Sequence, residues 1–386
     1  ALAFELGRQT GAWEPTGRWV EVFFATNATI NIASNQYAGL YYVCEKLKIS
    51  RNRIDLARVQ PWETGLPDCT GGYMIKVDRA PTSDEDEFGW VTSRSMPTGS
   101  SLVLSDPFKS ALATQQITYV TNYVQQFENV LYGADYADPY IGYAAWIKPS
   151  TWIEHHWLNN LSKNPDMLRL SAYMHKDRSG RICAGPEWDY DRCFSSYDAR
   201  STVPNEWYSG TNPWTYSWWA RLFADPAFQQ KYVDRWQELR RGPFSMTNMV
   251  SIIDRFASTV GTNAATRDYV RWNMWPSAAH GSNYPGEIAY LKTWLSNRVA
   301  WIDAQYAPPP TLTPASAEVS PGFSFTISSP VGTVYYTLDG SDPLMPDGTL
   351  SPFAFVYLGA VPVSGTARVR ARTLLSGTNW SSAATA

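Results

Sequence analysis

Asp166, Asp189 and Asp191 are the residues whose types and spacing suit chemistry best. Asp166 closes Asn164-Pro165-Asp166, and the other two lie in Trp188-Asp189-Tyr190-Asp191, within one of the most aromatic parts of the chain. Carboxylates gathered in one place repel one another unless a cation or a shared proton lies between them. Mg²⁺ and Mn²⁺ are hard ions that prefer oxygen ligands, so the chemistry expected here is metal and phosphate chemistry. The intervening residues read as two short strands, Arg169 to His175 and Arg181 to Ala184, joined by the turn Lys176-Asp177-Arg178-Ser179-Gly180. Such a hairpin returns both of its ends to one place. Taken singly, an Asp-x-Asp is more often a surface turn, and an aspartate after Asn-Pro is an ordinary turn or cap residue. His155 and His156 are adjacent and cannot share a helix face, so both read as packing or supporting residues.

The elements that must position these acids follow in chain order. Residues 2 to 10 read as a helix ending at Gly11. Trp19 to Ala25, Tyr37 to Glu45 and Gly71 to Val77 read as strands of a small, largely antiparallel sheet. The acidic run Ser83-Asp84-Glu85-Asp86-Glu87 reads as a solvated loop. Asp106-Pro107 reads as the start of a helix that keeps its apolar spacing to Gly133, and Ser150 as the cap of the next, which carries Trp152, Ile153, His156 and Trp157. Beyond the aspartates, Asp225-Pro226 opens a helix closed by Gly242, and further helices run through Met249 to Phe256 and Ile288 to Ile302. The prolines of Ala307-Pro308-Pro309-Pro310 mark a linker, after which Ser, Thr, Val, Gly and Pro dominate. Val334 to Leu338 runs into the turn signal Asp339-Gly340, and the alternation in Ala367 to Thr373 places Arg368, Arg370 and Arg372 on the wet face of a strand. The expected organisation is therefore residues 1–306, a linker at 307–310, and an all-β sandwich at 311–386, of ~75 residues.

Composition narrows the function. The 386 residues are 44% apolar with a net charge of −3, which leaves no electrostatic footprint for nucleic acid and no basic patch for a membrane surface. No run of apolar residues is long enough to span a bilayer. The chain begins at Ala1 within a helix-like stretch and is expected to be processed or truncated at the front. Cys44, Cys69, Cys183 and Cys193 lack the spacing of a zinc site. In an oxidising compartment the expected disulfides are Cys44 with Cys69 and Cys183 with Cys193; the other reading is four buried thiols. With 18 Trp and 23 Tyr against 32 Lys and Arg, and with polar loops, a secreted or cell-surface protein is expected. Asn27-Ala28-Thr29, Asn160-Leu161-Ser162 and Asn379-Trp380-Ser381 match the glycosylation acceptor pattern, which also arises by chance. Trp207, Trp214, Trp218, Trp219, Trp272 and Trp275 suit sugar stacking, though aromatic core is the commoner use.

Glu5-Leu6-Gly7-Arg8-Gln9-Thr10-Gly11, Trp19 to Phe24, Tyr37-Ala38-Gly39-Leu40-Tyr41 ending in Glu45-Lys46, Gly71-Gly72-Tyr73, Asn164-Pro165-Asp166 and Trp188-Asp189-Tyr190-Asp191 resemble, in that order, the CotH kinase family (spore coat protein H). The resemblance covers residues 1 to about 300. It implies an α+β fold: a divergent protein-kinase-like domain, with a small antiparallel sheet in front and a helical rear. It also implies a secreted or surface kinase that transfers the γ-phosphate of ATP, with Mg²⁺ or Mn²⁺, to Ser or Thr of an extracellular or surface protein. By the same resemblance Asp166 accepts or orients the acceptor hydroxyl proton, Asp189 and Asp191 bind the metal, and Glu5, Glu45 and Lys76 lie on the nucleotide side. Phosphoryl transfer asks a protein mainly for positioning and charge neutralisation, which agrees with this assignment. Two departures stand: the family's first strands, with the phosphate-holding lysine, have no counterpart, and Ser171 occupies the position of a metal-binding Asn. The tail, Tyr335 to Pro343 with Trp380-Ser381, resembles the chitobiase/hexosaminidase C-terminal domain, an immunoglobulin-like module, which implies a surface polysaccharide as a further partner. Two other functions remain open on the residues alone: a catalytically silent structural or adhesive surface protein, and a glycan-acting enzyme using Asp166 with Asp189 or Asp191 as an acid/base pair.

Overall fold

The computed structural model describes residues 1–25, 31–94, 99–273, 281, 283–320 and 322–386. Trp275 and the triplet at Asn27 lie outside the described residues. The elements, in chain order, are α1 (Leu2–Gln9), β1 (Gly17–Phe23), β2 (Tyr37–Cys44), β3 (Tyr73–Asp78), β4 (Phe88–Trp90), β5 (Ser101–Asp106), α2 (Thr114–Leu131), α3 (Pro149–Ser162), β6 (Ala172–Lys176), β7 (Ile182–Ala184), α4 (Trp218–Leu222), α5 (Pro226–Arg241), α6 (Met246–Trp272) and α7 (Tyr284–Asp303). Eight short strands follow: β8 (Thr311–Thr313), β9 (Ser324–Ser328), β10 (Thr333–Thr337), β11 (Phe355–Val356), β12 (Val361–Pro362), β13 (Arg370–Ser376), β14 (Asn379–Trp380) and β15 (Ala384–Thr385). The fold is mixed, with several antiparallel sheets. The chain forms two compact units, Ala1–Ser217 with Gly242–Arg298, and Trp218–Arg241 with Val299–Ala386. Composition alone drew a boundary at 306–311; packing assigns residues 218–241 and 299–306 to the unit that holds the last strands.

In the first unit the strands form two sheets. β1 and β2 make an antiparallel ribbon, while β4, β5, β3, β6 and β7 form one antiparallel sheet in that order. The central strands β3 and β5 are covered on both faces and read as apolar runs, Tyr-Met-Ile and Leu-Val-Leu, which are fully buried. The ribbon rests on α6, where Asp268 Oδ1 accepts the Leu40 N–H at 2.7 Å and Tyr37 O accepts Arg271 Nε at 2.8 Å. Gly39 is required there: at φ +131° a Cβ would stand 2.6 Å from Trp272 Nε1. α2 packs against the five-stranded sheet through Tyr73 against Tyr119, with ring centroids 6.4 Å apart. It starts at Thr114, not at Asp106-Pro107, because Asp106 ends β5 and its carboxylate is taken by the Ile49 N–H at 2.8 Å and Arg58 at 3.0 Å. α3 likewise starts with Pro149 behind Lys148, so Ser150 is not its cap.

In the second unit β12, β9 and β8 form one sheet and β11, β10, β13 and β14 another, with β15 also on β13. Leu312, Phe325, Ile327, Val334, Tyr336, Val369 and Ala371 form the core of this unit. Asp339-Gly340 does make a tight turn, Gly340 taking φ +80°, but the chain pairs β11 onto β10 only after a long excursion. The expectation of three arginines facing water fails at Arg372, which is 1% exposed. Asp342 and Asp234 of α5 neutralise it in place, at 2.6 and 2.7 Å. A strict alternation says which face a side chain takes, not what covers that face.

All four cysteines are free thiols, so neither expected disulfide exists. Proximity in sequence misleads here. Cys183 lies on β7 opposite His175, whereas Cys193 is buried beyond the Asp189 turn, where burial pushes its thiol well up and the nearby Ser162 hydroxyl opposes this. Cys44 ends β2 opposite Gly17, and Cys69 is buried in a short turn whose carbonyl accepts the Tyr73 hydroxyl at 2.6 Å. Asn160 is 1% exposed within α3 and is no glycosylation acceptor. Among the described residues no helix is long and apolar enough to cross a membrane.

Candidate active site

The site is built on the end of α3 and the hairpin β6–β7. α3 stops at Lys163, whose left-handed backbone (φ +52°) ends the helix. Asn164 then organises the next turn: its Oδ1 accepts the Asp166 N–H at 3.0 Å, and its amide donates to Asn159 Oδ1 at 2.9 Å. Leu168 and Ser171, at φ +65° and +51°, lead into β6. β6 and β7 pair with Met174 opposite Ala184 and Lys176 opposite Ile182. The turn between them brings the chain back, so that the Gly185 N–H donates to Tyr173 O at 2.9 Å. Asp189 follows in the left-handed region at φ +63°, and the Ser171 hydroxyl donates to its Oδ2 at 3.3 Å. Non-glycine residues with positive φ concentrate at Lys163, Leu168, Ser171, Asp189, Phe194 and Ser195, which is where functional sites hold backbone strain.

The three aspartates thus share one electrostatic neighbourhood. The Asp189 carboxyl is pushed above its usual range first by burial, then by Asp191, and more weakly by Asp166, while the Ser171 hydroxyl acts in the opposite direction. Asp191 Oδ2 accepts the Tyr197 hydroxyl at 3.0 Å. Asp166 faces cations: Arg169 bonds to its Oδ1, and Arg192 Nη1 lies 3.6 Å from its Oδ2. Among the described residues no group of three or more His, Cys, Asp or Glu side chains is arranged to hold a metal ion. The acidic centre is therefore the Asp189–Asp191 pair with the Ser171 hydroxyl. These are hard oxygen donors in a crowded anionic field, and Mg²⁺ characteristically takes one or two carboxylates while keeping several waters. The donor set fits such an ion.

Behind this turn lies a buried network that sequence reading missed. Glu14 and Glu187 are 2% and 4% exposed. The Glu187 N–H donates to Glu14 Oε2 at 2.7 Å, and the Glu187 carboxylate receives Tyr190 O–H at 2.5 Å and meets His155 Nδ1 at 2.9 Å. Burial and the neighbouring Glu187 hold the Glu14 carboxyl well above the usual range. Residues on both sides of Asp189 are thereby fixed. His156 is fully buried, with Nε2 donating to Pro213 O at 2.9 Å, and desolvation lowers its pKa to about 3. His155 supports the site through Glu187, whereas His156 is a packing residue beside Trp214.

The remaining candidates have partners of their own. Glu5 pairs with Arg8 and, at 3.0 Å, with Arg255, both arginines and neither a lysine. Glu45 accepts the Thr16 N–H at 2.9 Å and its hydroxyl at 2.7 Å. Lys76 on β3 pairs with Glu87 at 3.1 Å and Asp78 at 3.5 Å, opposite Tyr173 in register. Burial pushes the Tyr173 hydroxyl up, with Lys76 opposing it and Asp189 adding weakly. Trp207 and Trp214 stack edge to face, 5.0 Å apart, and Trp214 lies 5.4 Å from His156, an aromatic packing cluster. Comparison with curated proteins gives no match. The model of the CotH kinase protein family matches residues 1–302, a span that holds the hairpin, the three aspartates and the buried glutamates, and the chain belongs to that family.

Proposed function

We propose that this protein is a divalent-metal-dependent kinase that transfers the γ-phosphate of ATP to Ser or Thr of proteins outside the cell. The observation that carries the reading is the return of Asp189 and Asp191, across the β6–β7 hairpin, to Ser171 and the neighbourhood of Asp166. In this reading Asp166 orients the acceptor hydroxyl and takes its proton, a role that positioning and charge make effective. Asp189 and Asp191, with Ser171 beside them, hold Mg²⁺ or Mn²⁺, which supplies charge neutralisation for the phosphates. Arg169 keeps Asp166 oriented. The buried Glu187 contacts hold the Asp189 turn in its left-handed conformation. The C-terminal strands, resembling an immunoglobulin-like module, serve attachment to a surface polysaccharide or protein.

The test is transfer of labelled phosphate from ATP to a Ser/Thr peptide library with and without MgCl₂. Asp166→Asn is expected to lower the rate about 100-fold or more, the usual worth of a positioned base. Asp189→Ala is expected to abolish Mg²⁺-dependent nucleotide binding. Unchanged nucleotide binding by Asp189→Ala would sink the assignment. A second reading, a silent structural or adhesive protein on the same fold, draws support from the engagement of Asp166 by two arginines and of Glu5 by Arg8 and Arg255. Absence of any nucleotide binding by the intact protein is its expected signature.

A further inference from the structure

A basic rim adjoins the aspartates, and none of the site roles above accounts for all of it. Arg169, Arg192 and Arg200 surround only two carboxylates, Asp166 and Asp198. Their side chains are 32%, 41% and 36% exposed, against 15% and 12% for the two aspartates, so the acids are covered and the guanidiniums face outward. Arg200 is held tightly: Nε and Nη2 donate to Asp198 at 2.9 and 2.6 Å. Arg192 is not. Its approaches to Asp166 and Asp198, 3.6 and 3.7 Å, are too long for good hydrogen bonds, while its chain neighbour Asp191 carries the Tyr197 hydroxyl. A guanidinium has five N–H donors, so beyond the Tyr197 hydroxyl and the two long approaches to these acids Arg192 keeps donors to spare.

The site therefore sets the acidic pair Asp189 and Asp191, whose Asp191 also acts on Arg192, beside three arginines that outnumber by one the two carboxylates they contact, Asp166 and Asp198. A cation-bound phosphoanion has the matching polarity, and bidentate arginine is the side chain best suited to phosphate oxygens. Lys76 and Lys163, by contrast, are committed to Glu87 and Glu206. We propose that Arg169, Arg192 and Arg200 form a phosphate-binding rim of this site and receive the polyphosphate chain of the donor. This inference rests on the kinase reading for the identity of the donor. The rim itself is a binding claim that can be tested without turnover.

The probes are ATP, inorganic pyrophosphate and adenosine, each titrated calorimetrically into the intact protein with MgCl₂. Arg192→Gln and Arg200→Gln are each expected to weaken ATP and pyrophosphate about tenfold, the worth of a charge-assisted contact. Adenosine binding is expected to stay unchanged, and Arg192→Lys to recover part of the loss. Both side chains are substantially exposed, so unchanged far-ultraviolet circular dichroism checks the fold. If wild type binds ATP and both Gln variants bind it equally well, the rim is refuted and the kinase reading stands. If pyrophosphate binds wild type, weakens in the variants, and ATP binds no better than adenosine, the rim stands and the donor reading fails. Binding of neither ATP nor pyrophosphate overturns both.

Discussion

His156 offers a direct test of how burial sets the chemistry of α3. In α3 its Nε2–H donates to Pro213 O at 2.9 Å, and its Nδ1 accepts from the Asn160 amide, also at 2.9 Å. The neutral imidazole thus satisfies both ring nitrogens. Burial disfavours the charged imidazolium, and His155 adds to this, which lowers the pKa from 6.5 to about 3 against the opposing bond to Pro213; protonation would also set an N–H against the Asn160 amide. The unfolded chain binds this proton below pH 6.5, but the folded chain does not until pH falls to about 3. Stability from this group is therefore complete above pH 6.5 and is lost as pH falls toward 3. Between pH 7 and pH 5 the loss is about 2 kcal/mol, from ~1.5 pH units at 1.36 kcal/mol each. Urea unfolding at the two pH values, compared with His156→Gln, isolates this term, because glutamine can donate to Pro213 and accept from Asn160 without titrating. The variant is expected to lose about 2 kcal/mol less than wild type over that interval. Parallel losses in the two proteins, or a resonance assigned to the His156 imidazole titrating near pH 6.5 in the folded state, would refute the reasoning.

Two further outcomes follow from buried charge. At pH 7 Glu14→Gln is expected to unfold within about 1 kcal/mol of wild type, because the amide oxygen offers the same acceptor to the Glu187 N–H, whereas Glu187→Gln is expected to cost about 3 kcal/mol through its bonds to His155 and Tyr190; chemical denaturation that ranks the two the other way sinks this account of the pair. In the second unit, Arg372→Met leaves Asp342 and Asp234 partly buried without their shared cation. A loss of about 3 kcal/mol is expected, seen by calorimetry as a lower melting temperature, and a change under 1 kcal/mol would show that the pairs are surface-like.

Local chemistry made much of this protein legible from its residues. The turn residues between Lys176 and Gly180 and the flanking short apolar runs determined the β6–β7 hairpin, and with it the return of Asp189 toward Asp166. Asp225-Pro226 determined where α5 begins, since the fixed φ of proline suits a first helical turn and Asp225 Oδ1 accepts the Ala227 N–H at 2.9 Å. Only the tertiary structure decided what lies opposite each side chain. Asp106-Pro107 has the composition of a helix start, yet Ile49 and Arg58, distant in the chain, claim its carboxylate. Cys183 and Cys193 are ten residues apart but reside in different packing environments. Glu14 looks like a loop residue until Glu187, 173 positions away, covers it. Arg372 follows the alternation of an exposed residue, and Asp234 and Asp342 make its burial tolerable. Periodicity and turn chemistry act over a few residues, so the sequence could place the aspartates together; charge compensation and burial depend on partners tens to hundreds of residues away, so only the folded chain could set their fields.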